Sequence, residues 1–231
     1  MSEEITVRRL GRRPYGEVLA LQRDLQNRRK AGACPDTLLL VEHEPVITLG
    51  RNADRRNILA TPTDLDALGI EVVSVERGGD VTYHGPGQLV GYPILDLSGY
   101  QRDVRRYIRL LENTAVRLLA TYGVSAAGRS ETPGVWAAGG KIASVGVFIS
   151  RWVSMHGIAI NIVPDLSHFD LIRACGLPDV RMTSLACEHD GAVRFDDAEA
   201  RYSEVFTAAL QAWREEASSV PYQERARSSA R

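Results

Sequence analysis

RGGDVTYHGPGQLVGYPILDL, residues 77–97, places four glycines and one proline among its first twelve positions and then turns apolar. Gly78, Gly79, Gly85 and Gly87 free the backbone for positive φ and for close approach to a ligand. Arg77, Thr82, Tyr83, His84 and Gln88 stand between them. A hairpin turn with incidental polar residues is the plain alternative, but that many functional side chains in so short a glycine-rich stretch favours a site. No GK[ST] follows, so the stretch is not a P-loop. GPGQLVG spaces its glycines wrongly for a dinucleotide fingerprint and leads into a strand. That strand, QLVGYPILDL (88–97), carries Pro93, which predicts an edge or a bulge.

Working outward, the chain holds 26 Arg and only two Lys, Lys30 and Lys141. Lys30 lies in a charged run, but Lys141 lies in AAGGKIASVG (137–146). Arg stays protonated at any working pH, whereas a Lys amine in apolar surroundings can release its proton. A site needing a titrating amine is one reading of Lys141, and chance is the other. Cys175 sits in RACGLP, a Gly/Pro turn that favours exposure, although an inert structural Cys is the commoner case. His156, in HGIAIN, reads equally as a satisfied strand histidine or a catalytic one.

The 231 residues and their 44% hydrophobic and 25% charged content fit one soluble domain, and the net charge of −1 offers no field for nucleic acid or membrane. MSEEITVRRLG has no apolar signal region and no long apolar run follows, which predicts a cytoplasmic protein. Cys34, Cys175 and Cys187 have unrelated spacings and read as reduced thiols; the Cys187–His189 pair has no second pair at zinc-ligand distance. Strands are expected at 5–10, 37–43, 45–50, 70–76, 88–97, 135–138, 142–150 and 156–162. Helices are expected at 15–29, 64–69, 103–122 and 196–216. In the third helix Val104, Ile108, Leu111, Ala115 and Leu118 form the buried stripe, with Asp103 as N-cap and Gly123 after the end. This irregular mixture predicts an α+β, mixed α/β fold in one domain over residues 1–215, with a disordered tail at 216–231.

Together, RGG-x-x-T-Y-H-x-x-G-Q with GYP following, GGK-I-x-S-x-G, HG-x-A-x-N and CG…TSL resemble the octanoyltransferase family of lipoate biosynthesis in order and spacing. The resemblance implies a catalytic domain like that of biotin protein ligases and lipoate ligases, with a mixed β-sheet flanked by helices. It implies transfer of octanoyl or lipoyl from acyl carrier protein to a lysine of lipoyl domains, those of 2-oxoacid dehydrogenase E2 subunits and the glycine cleavage H protein, with no cofactor. It assigns Cys175 as nucleophile and Lys141 as its partner. Its substrate-binding segments fall on Arg77, Gly78, Gly79, Asp80, Val81, Thr82, Tyr83 and His84, on Ser144, Val145 and Gly146, and on Gly157, Ile158 and Ala159. Asp80 occupies a variable slot, and Ala174 stands where many relatives have Pro.

Under that resemblance the rarity of Lys141 acquires a chemical reason. Free Cys titrates near ~8.5 and free Lys near ~10.4, and in an apolar cleft the thiolate–ammonium and thiol–amine forms approach each other in energy. Gly-Ile-Ala and Ser-Val-Gly offer an apolar slot without bulk, and each buried CH2 is worth ~0.8 kcal/mol. Such burial discriminates weakly, so a closed end must reject longer chains. Backbone N–H groups at Cys175 and Gly176 are candidate oxyanion donors. Arg102, Arg105, Arg106 and Arg109 share one helix face, which reads as a solvated face or as a docking stripe for acidic carrier and lipoyl domains. The alternatives are an ATP-dependent lipoate or biotin-type ligase on the same fold, and a non-catalytic acyl-protein-binding module; nothing around Cys175 resembles a papain-like hydrolase.

Overall fold

The computed structural model describes residues 5–100, 102–129, 133–174 and 180–219. In chain order the elements are β1 (Thr6–Arg13), α1 (Tyr15–Lys30), β2 (Thr37–His43), β3 (Val46–Leu49), α2 (Pro62–Ala67), β4 (Glu71–Ser74), β5 (Val81–His84), β6 (Gln88–Ile94), α3 (Val104–Ala120), β7 (Ala127–Gly128), β8 (Gly134–Ala137), β9 (Gly140–Ser150), β10 (Val153–Asn161), α4 (Leu185–Glu188) and α5 (Phe195–Ser219).

Seven strands form one sheet in the order β1-β2-β6-β10-β9-β8-β7, and β4-β3-β5 form a second. β1 and β2 run parallel across α1, and the remaining pairs of the large sheet are antiparallel. Successive side chains of β2 serve opposite faces. Leu38 and Leu40 pack with Leu111, Ala115 and Leu118 of α3 and Tyr202, Phe206 and Leu210 of α5. Leu39 and Val41 pack with Val18, Leu19 and Leu25 of α1. Burial on both faces is why TLLLVEH reads as a nearly continuous apolar run. The small sheet has its own core, in which Ile47, Leu49, Val81 and Tyr83 meet Leu65, Phe169 and Ile172.

Several expectations need correction. Residues 81–84 form a strand where none was expected, because antiparallel pairing with β3 from Val46↔His84 to Leu49↔Val81 supplies the backbone partners. β2 and β3 lie in different sheets although Glu44 and Pro45 alone separate them. Pro93 is on an interior strand, paired with Leu38 of β2. It is accommodated because the β6–β10 ladder ends at Gly91↔Ile158, before Pro93 needs an amide on that side. In α3, Asp103 caps the helix by accepting from the Arg106 amide at 3.0 Å, and Gly123 has φ +75°. Val104, however, is 39% exposed, and Tyr107 and Leu119 take up the burial. α5 continues past 216 to Ser219; the rest of the expected tail, 220–231, lies outside the described residues.

Candidate active site

A cavity of about 280 Å³ opens between the large sheet and the segment 77–84. Two of the expected segments form one wall as neighbouring strands, with Ser144↔Ala159, Val145↔Ile158 and Gly146↔Gly157 in register on β9 and β10. The facing wall comes from Arg77, Gly78, Gly79, Asp80, Val81, Thr82 and His84. The Gly78 amide donates to Val147 O at 2.9 Å and fastens this loop to β9. Glycine is required at the closest approaches. A Cβ on Gly157 would stand 2.2 Å from Gly91 O, and one on Gly146 would meet Arg77 Cδ at 3.0 Å and Gly78 O at 3.2 Å.

Not every residue of the motif faces the cavity. Tyr83 alternates to the opposite side of β5, where its hydroxyl meets His168 Nδ1 at 2.7 Å and its ring packs on Phe169. Asp80 lines the cavity but spends its oxygens on loop structure, accepting from the amides of Asp54 and Val81 and from Asn57 Nδ2. Arg77 is 7% exposed and is held by β3, its guanidinium donating to Thr48 O and Oγ1 and to Gly78 O. It acts as a fixed positive charge behind the wall.

Residues outside the expected substrate-binding segments complete the cavity: Tyr15, Val90, Tyr92, Ile108, Pro133, Val147 and His156. Of these only Tyr92, in GYP, and His156, in HG, belonged to a motif. Three buried histidines cluster here with the tyrosines. His43 Nδ1 donates to Arg13 O at 3.2 Å, which leaves Nε2 to accept from the Tyr92 hydroxyl at 2.9 Å. Burial pushes its pKa down to about 4. Burial, with the His43 and Arg77 charges, takes His84 down to about 3. Burial takes His156 down to about 4 against the opposing attraction of Glu76. All three rings are therefore neutral at physiological pH, and burial raises Tyr15 to about 12. The lining is a neutral, largely apolar surface with polar edges.

Lys141 is the second residue of β9 and is 1% exposed. Its amide donates to Arg181 O at 2.8 Å and its carbonyl accepts from the Thr183 amide at 3.0 Å. Its ammonium lies 5.0 Å from the Trp136 ring centroid. A Cβ on Gly134 would stand 2.8 Å from Lys141 Cε, so glycine at 134 makes room for the side chain. Gly134 pairs with Ser144 and follows Pro133, both at the cavity. The Lys141 amine is thus beside the Ser144 end of the slot. Cys175 and Gly176 lie outside the described residues. The chain is described as far as Ala174, buried with Tyr83 and Phe169, and again from Val180, whose successor Arg181 bonds Lys141.

A hydrogen-bonded string links the motifs behind the cavity. His84 Nδ1 meets Gln88 Oε1 at 2.6 Å, Gln88 Nε2 donates to Asn161 Oδ1 at 2.9 Å, and Asn161 Nδ2 donates to Thr183 O at 2.9 Å. Thr183 Oγ1 donates to Glu188, which accepts the Gly139 amide two residues before Lys141.

A family model for the lipoyl protein ligase A/B catalytic domain matches residues 14–207. The octanoyltransferase of Syntrophotalea carbinolica is 45% identical over 207 residues, spanning 90% of this chain and 95% of that one. The chain belongs to this octanoyltransferase family. The octanoyltransferase of Myxococcus xanthus is 44% identical over 219 residues, spanning 92% of this chain and 61% of that longer protein. The octanoyltransferase fold is shared with a lipoate-protein ligase A bound with ATP, at a TM-score of 0.72 and 16% identity over 91% of this chain and 86% of that one. A putative lipoate protein ligase from T. acidophilum has a TM-score of 0.71 and 16% identity, covering 90% and 86%. At such identity the ligases share the fold, whereas the relatives that share the sequence are octanoyltransferases. The chain is accordingly an acyltransferase of protein lipoylation. Among the described residues no helix is long and apolar enough to cross a membrane.

Proposed function

We propose that this octanoyltransferase takes octanoyl from acyl carrier protein onto Cys175 as a thioester and passes it to a lysine of a lipoyl domain, with the cavity holding the acyl chain. The observation that carries the reading is Lys141, one of two lysines against 26 arginines, buried beside the Ser144 end of an apolar slot.

The steps balance with the groups of this chain. Lys141, as the amine, takes the Cys175 thiol proton, and the thiolate attacks the thioester carbonyl. The tetrahedral oxyanion collapses, the carbonyl carbon–sulfur bond to the carrier breaks, and the carrier sulfur leaves with the proton from Lys141. The acceptor lysine then attacks the acyl-enzyme as a free amine, its excess proton passes to Lys141, and the Cys175 thiolate leaves and is reprotonated. Arg at 141 would not serve, since guanidinium holds its proton throughout. The acyl group arrives activated, so no nucleotide enters the scheme.

The experiment is intact-mass measurement after mixing with octanoyl carrier protein in the absence of ATP. An octanoyl adduct on Cys175, discharged by a lipoyl domain, is expected, and Cys175→Ala abolishes adduct and turnover. Wild-type turnover in Cys175→Ala would end the covalent reading; a strict ATP requirement would favour a ligase.

Of the arginine stripe, Arg102 stacks over Trp152, and Arg106 stacks over Trp213 and pairs with Glu216. Arg105 and Arg109 are left exposed on α3 to meet an acidic carrier or lipoyl domain.

A further inference from the structure

The strand register orders the cavity. Ser144 lies three residues along β9 from Lys141, and Val147, paired with His156, lies six. At about 3.3 Å per residue, His156 stands at the end remote from the amine. That end differs in chemistry from the Gly-Ile-Ala and Ser-Val-Gly walls. His156 is 1% exposed and lines the cavity, yet neither of its ring nitrogens has a hydrogen-bond partner. Glu76 Oε2 lies 3.7 Å from His156 Nε2 and is itself buried without a hydrogen bond, as is Gln22 Nε2. Gln22 Oε1 accepts the His156 amide at 2.9 Å, which fixes the three residues as one nest. The backbone there is strained: His156 is a non-glycine residue at φ +59°.

We infer that His156, which lines the cavity and is backed by Glu76 and Gln22, is a hydrogen-bonding terminus of the acyl site, which accepts medium-chain acyl groups ending in a hydroxyl and turns away longer chains that would press methylenes onto it. The inference rests on the assignment of the cavity to the acyl chain made above. A neutral imidazole offers one donor and one acceptor, so it can receive a hydroxyl in either sense. A buried polar group left facing a methylene forfeits its hydrogen bond, and that penalty is the stop that apolar burial alone does not provide.

The test compares octanoyl, 8-hydroxyoctanoyl and decanoyl groups on the same acyl carrier protein with the wild-type enzyme, reading kcat/KM. The hydroxylated chain is expected within about threefold of octanoyl, and decanoyl at least about tenfold below it. His156→Asn, which the left-handed backbone tolerates, shortens the end and should raise the decanoyl-to-octanoyl ratio at least about tenfold. Rejection of the hydroxylated chain by more than about tenfold, or an unchanged ratio in His156→Asn, overturns the terminus. Gly146→Val separates this from the underlying reading: it fills the slot next to Arg77, and undiminished octanoyl transfer in that variant would show that the chain lies elsewhere.

Discussion

At the scale of single residues, Lys141 is the position where chemistry and packing can be told apart. Its stem fills the space that Gly134 leaves open, and its carbonyl and amide belong to strand pairing, so the backbone is held independently of the charge. Methionine is unbranched and of similar length, and it keeps the stem while deleting the amine. Keeping the stem keeps the packing in the space beside Gly134, where a truncation would open a cavity. Lys141→Met is therefore expected to hold its melting temperature within a few degrees while single-turnover transfer falls by about 10²–10⁴, the usual worth of a positioned proton carrier. Calorimetry alongside quenched-flow mass measurement checks both halves. Transfer within about tenfold of wild type would remove Lys141 from the proton path.

At the scale of elements, the string His84–Gln88–Asn161–Thr183 does for tertiary structure what the ladders do for each sheet. It fixes the end of β10 and the start of β6 to the segment that lies along Lys141. Asn161 is 1% exposed and gives and receives one bond each, so Asn161→Leu strands a Gln88 donor and a Thr183 carbonyl. The expected loss is about 2–4 kcal/mol, read as a lower urea midpoint at unchanged m-value. A loss below about 0.5 kcal/mol would mean that the string is ornamental. Neither this string nor β5 was legible from periodicity. Thr82, Tyr83 and His84 look polar and loop-like until β3 pairs with them, and Gln88 and Asn161 are 73 residues apart. By contrast α3 and β2 were legible, because an apolar stripe and a continuous apolar run are local signals. The walls 144–146 and 157–159 were found by motif, but that they are adjacent strands is a fact of register. Tyr15 carried no signal, since it enters the cavity from the start of α1, outside every motif.

At the scale of the molecule, the cavity sets an acid limit on stability. His43, His84 and His156 fold as neutral rings because burial removes them from water, with the Arg77 charge adding to the effect at His84 and His156. Tyr15 and Tyr92 surround them and stay protonated, the Glu76 carboxylate faces His156, and the Arg77 and Arg23 charges oppose it there. In the unfolded chain each histidine titrates near ~6.5. Their folded values are depressed, so above that pH neither state binds the proton and stability is whole. As pH falls through ~6.5 the unfolded chain takes up protons that the folded protein refuses until about 4 for His43 and His156 and about 3 for His84. Stability then declines by up to about 1.4 kcal/mol per pH unit for each ring, or about 4 kcal/mol per unit for the three together. Carboxylates begin to contribute only as the pH approaches their own range near ~4, so the interval from about pH 6.5 to about 5 isolates the histidines. Urea unfolding across that interval should show a steadily falling midpoint, and His43→Gln, which removes one of the three rings, should flatten the slope by about a third. A midpoint that stays level from neutral pH down to about 5 would mean that these rings accept protons in the native state, and that water or a counter-charge reaches the floor of the cavity.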